Sequence, residues 1–442
     1  MDRLTAYDDA LLRIEDDVSA VHGMTIGVFE GPQPPFDDVL ELVRSRVPMV
    51  PRYRQRLLQM PMGLERPLWI DDPHFSLDFH VRNTALVDRR GADALSALVG
   101  RLQSQRMDRS KPLWELWVVS NLVDDHWALI SKVHYSMIDG VSGTDLFGLL
   151  LDEAPTGEVG DDFSPAPIPN RASLIPHAFL DRLFDPMESI RAITDLAVRP
   201  VRAVQRQLES ARRKTSPNLR TDIGPHRRWH RCQVDLSAVR KARQLHNCST
   251  NDVILAAIVG GVRHYLTELG EPIPKRLVAM IPLAIATEET GFAQQLSAVV
   301  AELPLGIEEP IARLDAISAQ TALAAQNRGA LTADVFRRQA QFLAPTVMAL
   351  GVRAALEDAH ESTRIDTLAV NVPGPDHPQH LRGRRLLKAY PVVPLAGRVP
   401  LAFAALSYCD TISFGVTGDY DSSPQLNLVA DGIRDAVEQL IE

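Results

Sequence analysis

The sequence predicts an α/β (α+β) protein of two domains, each a mixed sheet with packed helices, and three observations carry that prediction. Its 442 residues exceed what one hydrophobic core usually serves. Strand-like and helix-like periodicities alternate over residues 1–152 and alternate again from residue 226. Between them, residues 152–170, "DEAPTGEVGDDFSPAPIPN", carry four prolines and no hydrophobic period, which marks a linker or surface crossover. The expected division is therefore 1–152, a connector over 153–225, and 226–442, with a ligand tunnel where the two domains face each other.

In the first domain, "HGMTIGVFEG" reads as a strand, "FDDVLELVRSRV" and "ALSALVGRLQSQRM" as helices, and "LWELWVVSNL" with "HWALISKVHY" as a hairpin around Asp124 and Asp125. Residues 174–213 are helical in pattern, with arginines interleaved among aliphatic residues. Such a stretch either lies on an anionic membrane surface or packs as a connector with solvated arginines. In the second domain, "HRRWHRCQVDL" reads as a strand and "STNDVILAAIVGGVRHYL" as a helix. "RLVAMIPLAI" is a strand, residues 333–356 a long helical region, and "TLAVNVPGP" a strand ending at a tight turn. "LAFAALSY" and "TISFGVTG" form a hairpin, and "LNLVADGIRDAVEQLIE" a terminal helix.

Composition narrows the function. Hydrophobic residues make up 45% and charged ones 23%, ordinary for a globular protein. A net charge of −9 argues against nucleic acid as a general partner. Three dispersed cysteines, Cys232, Cys248 and Cys409, give neither a disulfide framework nor a zinc site, which fits a reducing compartment. The acidic N-terminus has no apolar core region of a signal peptide, and no uncharged run approaches the roughly 20 residues that span a bilayer. The expected location is cytoplasmic, with any membrane contact peripheral.

The stretch "SKVHYSMIDGVSG", residues 131–143, concentrates the chemistry. It reads as a strand end, a turn at Asp139-Gly140 and a helix start. Alternation along a strand puts His134 on one face with Ile130 and Lys132, and Tyr135 on the other with Leu129 and Val133. Gly140 suits a turn with unusual backbone angles, and Ser142 suits a helix cap.

"HYSMIDGVSG" resembles the His-His-x-x-x-Asp-Gly motif of the coenzyme-A-dependent acyltransferases that share the chloramphenicol-acetyltransferase-like fold. Further blocks narrow the resemblance to the bacterial wax ester synthase/diacylglycerol acyltransferase family: Pro112, Leu113 and Trp114 in "KPLWELWVV", Asn251 and Asp252 in "STNDVILAA", and Asn371 to Pro375, with Gly374, in "AVNVPGP". "DALLRIED", "DDPHFSLDFHV" and "GVTGDYDSSPQLNLVADGI" also look like that family, so the resemblance spans nearly the whole chain. It implies two chloramphenicol-acetyltransferase-like domains and an O-acyltransferase that makes triacylglycerol or wax ester. The substrates would be a fatty acyl-CoA and a diacylglycerol or long-chain alcohol, at a membrane or lipid-droplet surface. No cofactor is implied, since the coenzyme A thioester is itself a substrate.

The resemblance also exposes a departure. The family's proposed general base is the second histidine of the pair, and Tyr135 stands there; His134 matches the first. Deprotonating an alcohol suits an imidazole with a pKa of about 6.5. A phenol at about 10 would cost about 4 kcal/mol, roughly a thousandfold, unless a nearby cation lowered it. Two outcomes remain open: slow or altered transfer, or a degenerate member that binds acyl-CoA or neutral lipid or partners an active relative. A relative specialised for a polyketide or peptide alcohol fits the blocks less well. The resemblance implies that Asp139 fixes its loop through an ion pair. It also implies that Asn251, Asp252, Pro112, Leu113, Trp114, Asn371 and Gly374 support or bind substrate. Helix capping explains Asp252, and core packing explains Trp114, equally well. Two basic clusters, 226–231 and 382–388, have the arginine chemistry for coenzyme A phosphates.

Overall fold

The computed structural model describes residues 2–4, 6–60, 66–87, 92–137, 146–152, 163–168, 219, 221–285, 295–326, 365–395 and 397–442. The readings at Asp139, Gly140, Ser142, residues 174–213 and residues 333–356 lie outside them.

Two six-stranded sheets organise the chain. The first runs β12-β13-β2-β7-β6-β5. Its strands are β2 (His22–Phe29), β5 (Val81–Ala85), β6 (Trp114–Ser120), β7 (Trp127–His134), β12 (His380–Leu381) and β13 (Arg384–Val392). The second runs β10-β9-β11-β14-β15-β8. It contains β8 (Arg227–Asp235), β9 (Leu277–Ile285), β10 (Gln295–Leu303), β11 (Thr367–Val372), β14 (Leu401–Tyr408) and β15 (Thr411–Asp419). β5 runs parallel to β6, and β11 runs parallel to both neighbours, so both sheets are mixed, as expected. A small third sheet pairs β1 (Asp2–Arg3) and β3 (Gln55–Leu58) with β4 (Leu68–Asp71).

The expected domain border needs one correction. β13 lies beyond residue 226 yet pairs antiparallel with β2, setting Tyr390 opposite Ile26 and Val392 opposite Met24. Its opening residues belong to the basic cluster 382–388, whose arginines have the chemistry for coenzyme A phosphates. Ladder bonds come from the backbone, however, so charged side chains at one end do not prevent a strand from closing another domain's sheet.

Among the described residues, three large apolar clusters fill the layers, and a small fourth joins Leu58, Met60, Leu68 and Ile70 beside the third sheet. The helices are α1 (Ala6–Ile14), α2 (Phe36–Arg46), α3 (Ala92–Ser104), α4 (Leu236–Leu245), α5 (Thr250–Glu268), α6 (Pro310–Gln326) and α7 (Asn427–Gln439). α3 covers one face of the first sheet, packing Leu95, Leu98, Val99 and Leu102 against Met24, Ile26 and Ile130. α5 and α7 pack with Ala369, Phe403 and Phe414 of the second sheet. The largest cluster joins both sheets: Leu129, Val133 and Tyr135 from the first share it with Leu368, Val370, Val372, Ala404 and Leu406 from the second. That shared cluster sits where the tunnel was expected.

Candidate active site

The end of β7 is pinned from both sides, which fixes where its last side chains point. The His134 amide donates to Leu113 O at 3.0 Å and the Tyr135 amide to Val21 O at 3.2 Å. Alternation then does what the sequence predicts. Tyr135 enters the cluster shared by the two sheets, with Leu129 and Val133, while His134 faces the opposite side with Lys132.

Tyr135 is 1% exposed, and its hydroxyl has no hydrogen-bond partner among the described residues. The ring lies over Gly23 of β2, where a Cβ would stand only 2.7 Å from the hydroxyl oxygen. Only glycine leaves room for the phenol there. Burial pushes the phenol far above its ordinary value, and no cation among the described residues counteracts it. A phenol held protonated in this way is a poor acceptor for an alcohol's proton.

His134 has the opposite surroundings. Nδ1 lies 3.1 Å from the Ser136 amide nitrogen and 2.7 Å from Ser136 Oγ, while Nε2 lies 3.0 Å from Glu15 Oε2. An amide N–H can only donate, so Nδ1 accepts; Nε2 then carries the proton and donates to Glu15. Neither ring nitrogen has a free lone pair. Glu15 also receives Arg109 at 3.2 Å, and Arg109 donates to Leu12 O at 2.8 Å. Burial alone would push the Glu15 carboxyl up, but the hydrogen bond from His134 and the Arg109 charge outweigh it and hold the group at about 2. Beside this network, Lys132 is fully buried, donating to Gln105 O and lying 3.9 Å from Glu115. Burial brings its ammonium down to about 8 despite Glu115. His22 stands directly opposite His134 in the β2–β7 register, its imidazole pushed well down by burial and by Lys132.

Glu15, Arg109 and His22 were not singled out from sequence. Glu15 falls inside "DALLRIED", but 119 positions separate it from His134, and no spacing rule links them.

The other blocks divide. Pro112, Leu113 and Trp114 sit beside β7, since Leu113 O receives the His134 amide and Trp114 pairs with Val133. Trp114 is 2% exposed, donates from Nε1 to Tyr53 O at 2.8 Å and stacks on His80 at 4.5 Å. It is core, and it positions the strand. Asp252 completes a capping box with Ser249, accepting the Ser249 amide at 2.8 Å and receiving Thr321 Oγ1 at 2.6 Å. Asn251, half-buried, precedes it in the same first turn of α5. These contacts belong to the second domain's own packing. Asn371 sits between Val370 and Val372, which enter the shared cluster, so its side chain points to the opposite face, as Ala369 does. Gly374 follows β11 and donates its amide to Ser407 Oγ at 3.1 Å; a Cβ there would come within 2.1 Å of Ser407 O. Of the basic clusters, 382–388 leads into β13, with Arg382 and Arg384 donating to Asp38 O and Pro32 O. The 226–231 cluster borders an open cavity.

Comparison with known proteins covers the chain almost end to end. Residues 4–254 match the wax ester synthase/diacylglycerol acyltransferase catalytic domain, and residues 294–441 match the WS/DGAT C-terminal domain. A probable diacylglycerol O-acyltransferase of Mycobacterium tuberculosis is 32% identical, covering 100% of this chain and 96% of its own length. A second M. tuberculosis protein, named a putative diacylglycerol O-acyltransferase, is 28% identical over 100% of this chain and 97% of its own. Among solved structures, the wax ester synthase/diacylglycerol acyltransferase of Marinobacter aquaeolei VT8 superposes with a TM-score of 0.69 at 25% identity, over 99% of this chain and 98% of that one. The first condensation domain of the calcium-dependent antibiotic synthetase shares the fold, with a TM-score of 0.57 at 12% identity over 100% and 96% of the two chains.

Proposed function

Because the chain belongs to the wax ester synthase/diacylglycerol acyltransferase family, we propose that it moves a fatty acyl group from coenzyme A to a diacylglycerol or a long-chain alcohol, slowly. The observation that carries the reading is the end-to-end match to named acyltransferases at up to 32% identity. In the reaction the alcohol oxygen bonds to the acyl carbon, the carbon–sulfur bond breaks, and the alcohol's proton ends on the departing thiol. The thioester carries the activation, so no further cofactor is needed.

Position 135 sets the rate. A sealed, neutral phenol removes the base, worth about 10² to 10⁴ in rate. Alignment of the two substrates and polarisation of the carbonyl do not need that side chain and sustain the residual turnover. His134 does not substitute, because both its nitrogens are committed on the far face of β7. The reaction site of this reading is the face of Tyr135, and Asp139 and Gly140 follow it in sequence. No helix among the described residues is long and apolar enough to cross a membrane, so the reading takes its lipid acceptor from a surface rather than from within a bundle of spans.

The test is acyl transfer by purified protein from a long-chain acyl-CoA to diacylglycerol and to a fatty alcohol. Wild type should turn over slowly, Tyr135→His should be faster by about 10² to 10⁴, and the folded His134→Ala protein should lose no more than its loss of stability explains. A second reading, a lipid- or acyl-CoA-binding member without chemistry, is favoured by the closure of Tyr135 over Gly23. An inert wild type that becomes active as Tyr135→His selects that second reading. A folded His134→Ala protein that has lost all of the wild-type turnover would make His134 the base, leaving the acyl transfer standing and overturning both the role given to position 135 and the reading without chemistry.

A further inference from the structure

A cavity of about 840 Å³ opens where α3 meets β8 and the start of α7, away from the Tyr135 cluster. Among the described residues, its lining includes three arginines, Arg101, Arg227 and Arg228, and no aspartate or glutamate. In a chain of net charge −9 this is a local reversal of sign.

The three arginines are not equivalent. Arg227 is spent on the fold: its side chain donates to Gly224 O, His226 O and Val18 O and lies 3.7 Å from the buried Asp419, and its amide donates to Ser104 Oγ at 2.8 Å. Arg228 is anchored but not neutralised. Its Nε donates to Tyr420 O at 2.8 Å and its guanidinium lies 3.9 Å from the Tyr420 ring, contacts that hold the group in place with no carboxylate in either. Arg101 is exposed on α3. The opposite wall includes Gln425 and Asn427, where α7 begins with Leu426 as N-cap and no side-chain cap bond, so the positive end of a thirteen-residue helix adds to the field. The volume lies in the range of small-molecule sites, about 300–1,000 Å³, and far exceeds what a single ion needs. Tyr420, 45% exposed, stands at the rim, with the His226 ring set against it at 79° and 6.3 Å between centroids.

We propose that this cavity holds the phosphates of a coenzyme A thioester, with Arg101 and Arg228 pairing with phosphate oxygens and Tyr420 stacking on the base. The assignment rests on the acyl-CoA reading above. Guanidinium groups suit it because their paired N–H donors match phosphate oxygens, and because they stay charged at all working pH.

The test is titration calorimetry with coenzyme A and with adenosine 3′,5′-bisphosphate, on wild type, Arg101→Glu and Arg228→Glu, beside a dephosphorylated pantetheine thioester. Arg101 is exposed, so its variant reports on binding without a folding penalty. Each variant should weaken coenzyme A and the bisphosphate by about tenfold or more, with the pantetheine thioester unchanged. Coenzyme A bound equally by wild type and both variants overturns the cavity and leaves the acyltransferase reading standing. A wild type that binds no coenzyme A overturns both. Variants that keep coenzyme A but release phosphatidylglycerol vesicles overturn the proposal in favour of a lipid headgroup.

Discussion

The two faces of the strand end at residues 134 and 135 are built on opposite principles. On the His134 side, buried polar groups are mostly matched, imidazole to carboxylate, carboxylate to guanidinium and ammonium to carbonyl, with the two ring nitrogens of His22, opposite His134, left without a partner among the described residues. On the Tyr135 side a single hydroxyl is buried in hydrocarbon with no partner among the described residues. Buried polar groups normally find partners because leaving one unmatched costs about 1–3 kcal/mol. The contrast teaches that charge partners hold the His134 side in place, whereas close packing over Gly23 holds the Tyr135 side. Residue 135 is thus under packing control, and residue 134 under electrostatic control.

The strongest way to break that contrast is to unmatch the matched side. Glu15→Gln leaves the His134 N–H with a weaker acceptor and Arg109 without its counter-charge; with Glu15 3% exposed, unfolding in urea should show a loss of about 3 kcal/mol. The same carboxyl gives a pH signature. Its folded value of about 2 lies below the unfolded value of about 4.3, so its contribution is fully present above that unfolded value and is lost as pH falls towards 2. Wild-type stability should therefore drop between about pH 5 and pH 2, and Glu15→Gln should flatten that limb. An unchanged acid limb in the variant would mean that the pair contributes nothing to folding.

A smaller effect is expected on the unmatched side, through shape alone. Gly23→Ala drives a methyl to 2.7 Å from the Tyr135 hydroxyl and 2.8 Å from its ring, and should cost about 1–3 kcal/mol. Tyr135→Ala opens that space, so the double variant should be more stable than the sum of the single effects predicts. Additivity within about 0.5 kcal/mol would mean the two residues do not touch.

How much of this could be read from the sequence follows the range of each interaction. Strand β7, the hairpin at Asp124-Asp125 and the start of α5 were all legible, because period-2 alternation and the Ser249–Asp252 cap are written in adjacent residues. The same alternation put Tyr135 with Leu129 and Val133, where the structure has it. The Glu15–His134 contact was not legible, since chain folding alone brings those positions together. β13 was hidden for a related reason: its charged opening residues suggested a ligand surface, and its partner β2 lies more than 350 positions upstream. Asn371 was grouped with tunnel residues because its block was matched as a unit, whereas alternation alone would have separated it from Val370 and Val372.

The finest distinction between the faces is the Tyr135 oxygen itself. If it is no more than a desolvated group without a partner, removing it should not destabilise the protein. Tyr135→Phe keeps the ring over Gly23 and discards the oxygen, so it should leave stability unchanged or raise it by about 1 kcal/mol. On the proposed function, acyl transfer should also be unchanged, because a phenol that burial holds protonated contributes no base. Thermal and urea unfolding of Tyr135→Phe beside wild type, with the transfer assay on the same preparations, checks both. A loss of stability near 1 kcal/mol would mean that the hydroxyl bonds something beyond the described residues. A loss of transfer with stability intact would mean that it donates a hydrogen bond to the reacting carbonyl, and residue 135 would then count as a catalytic residue that has changed role.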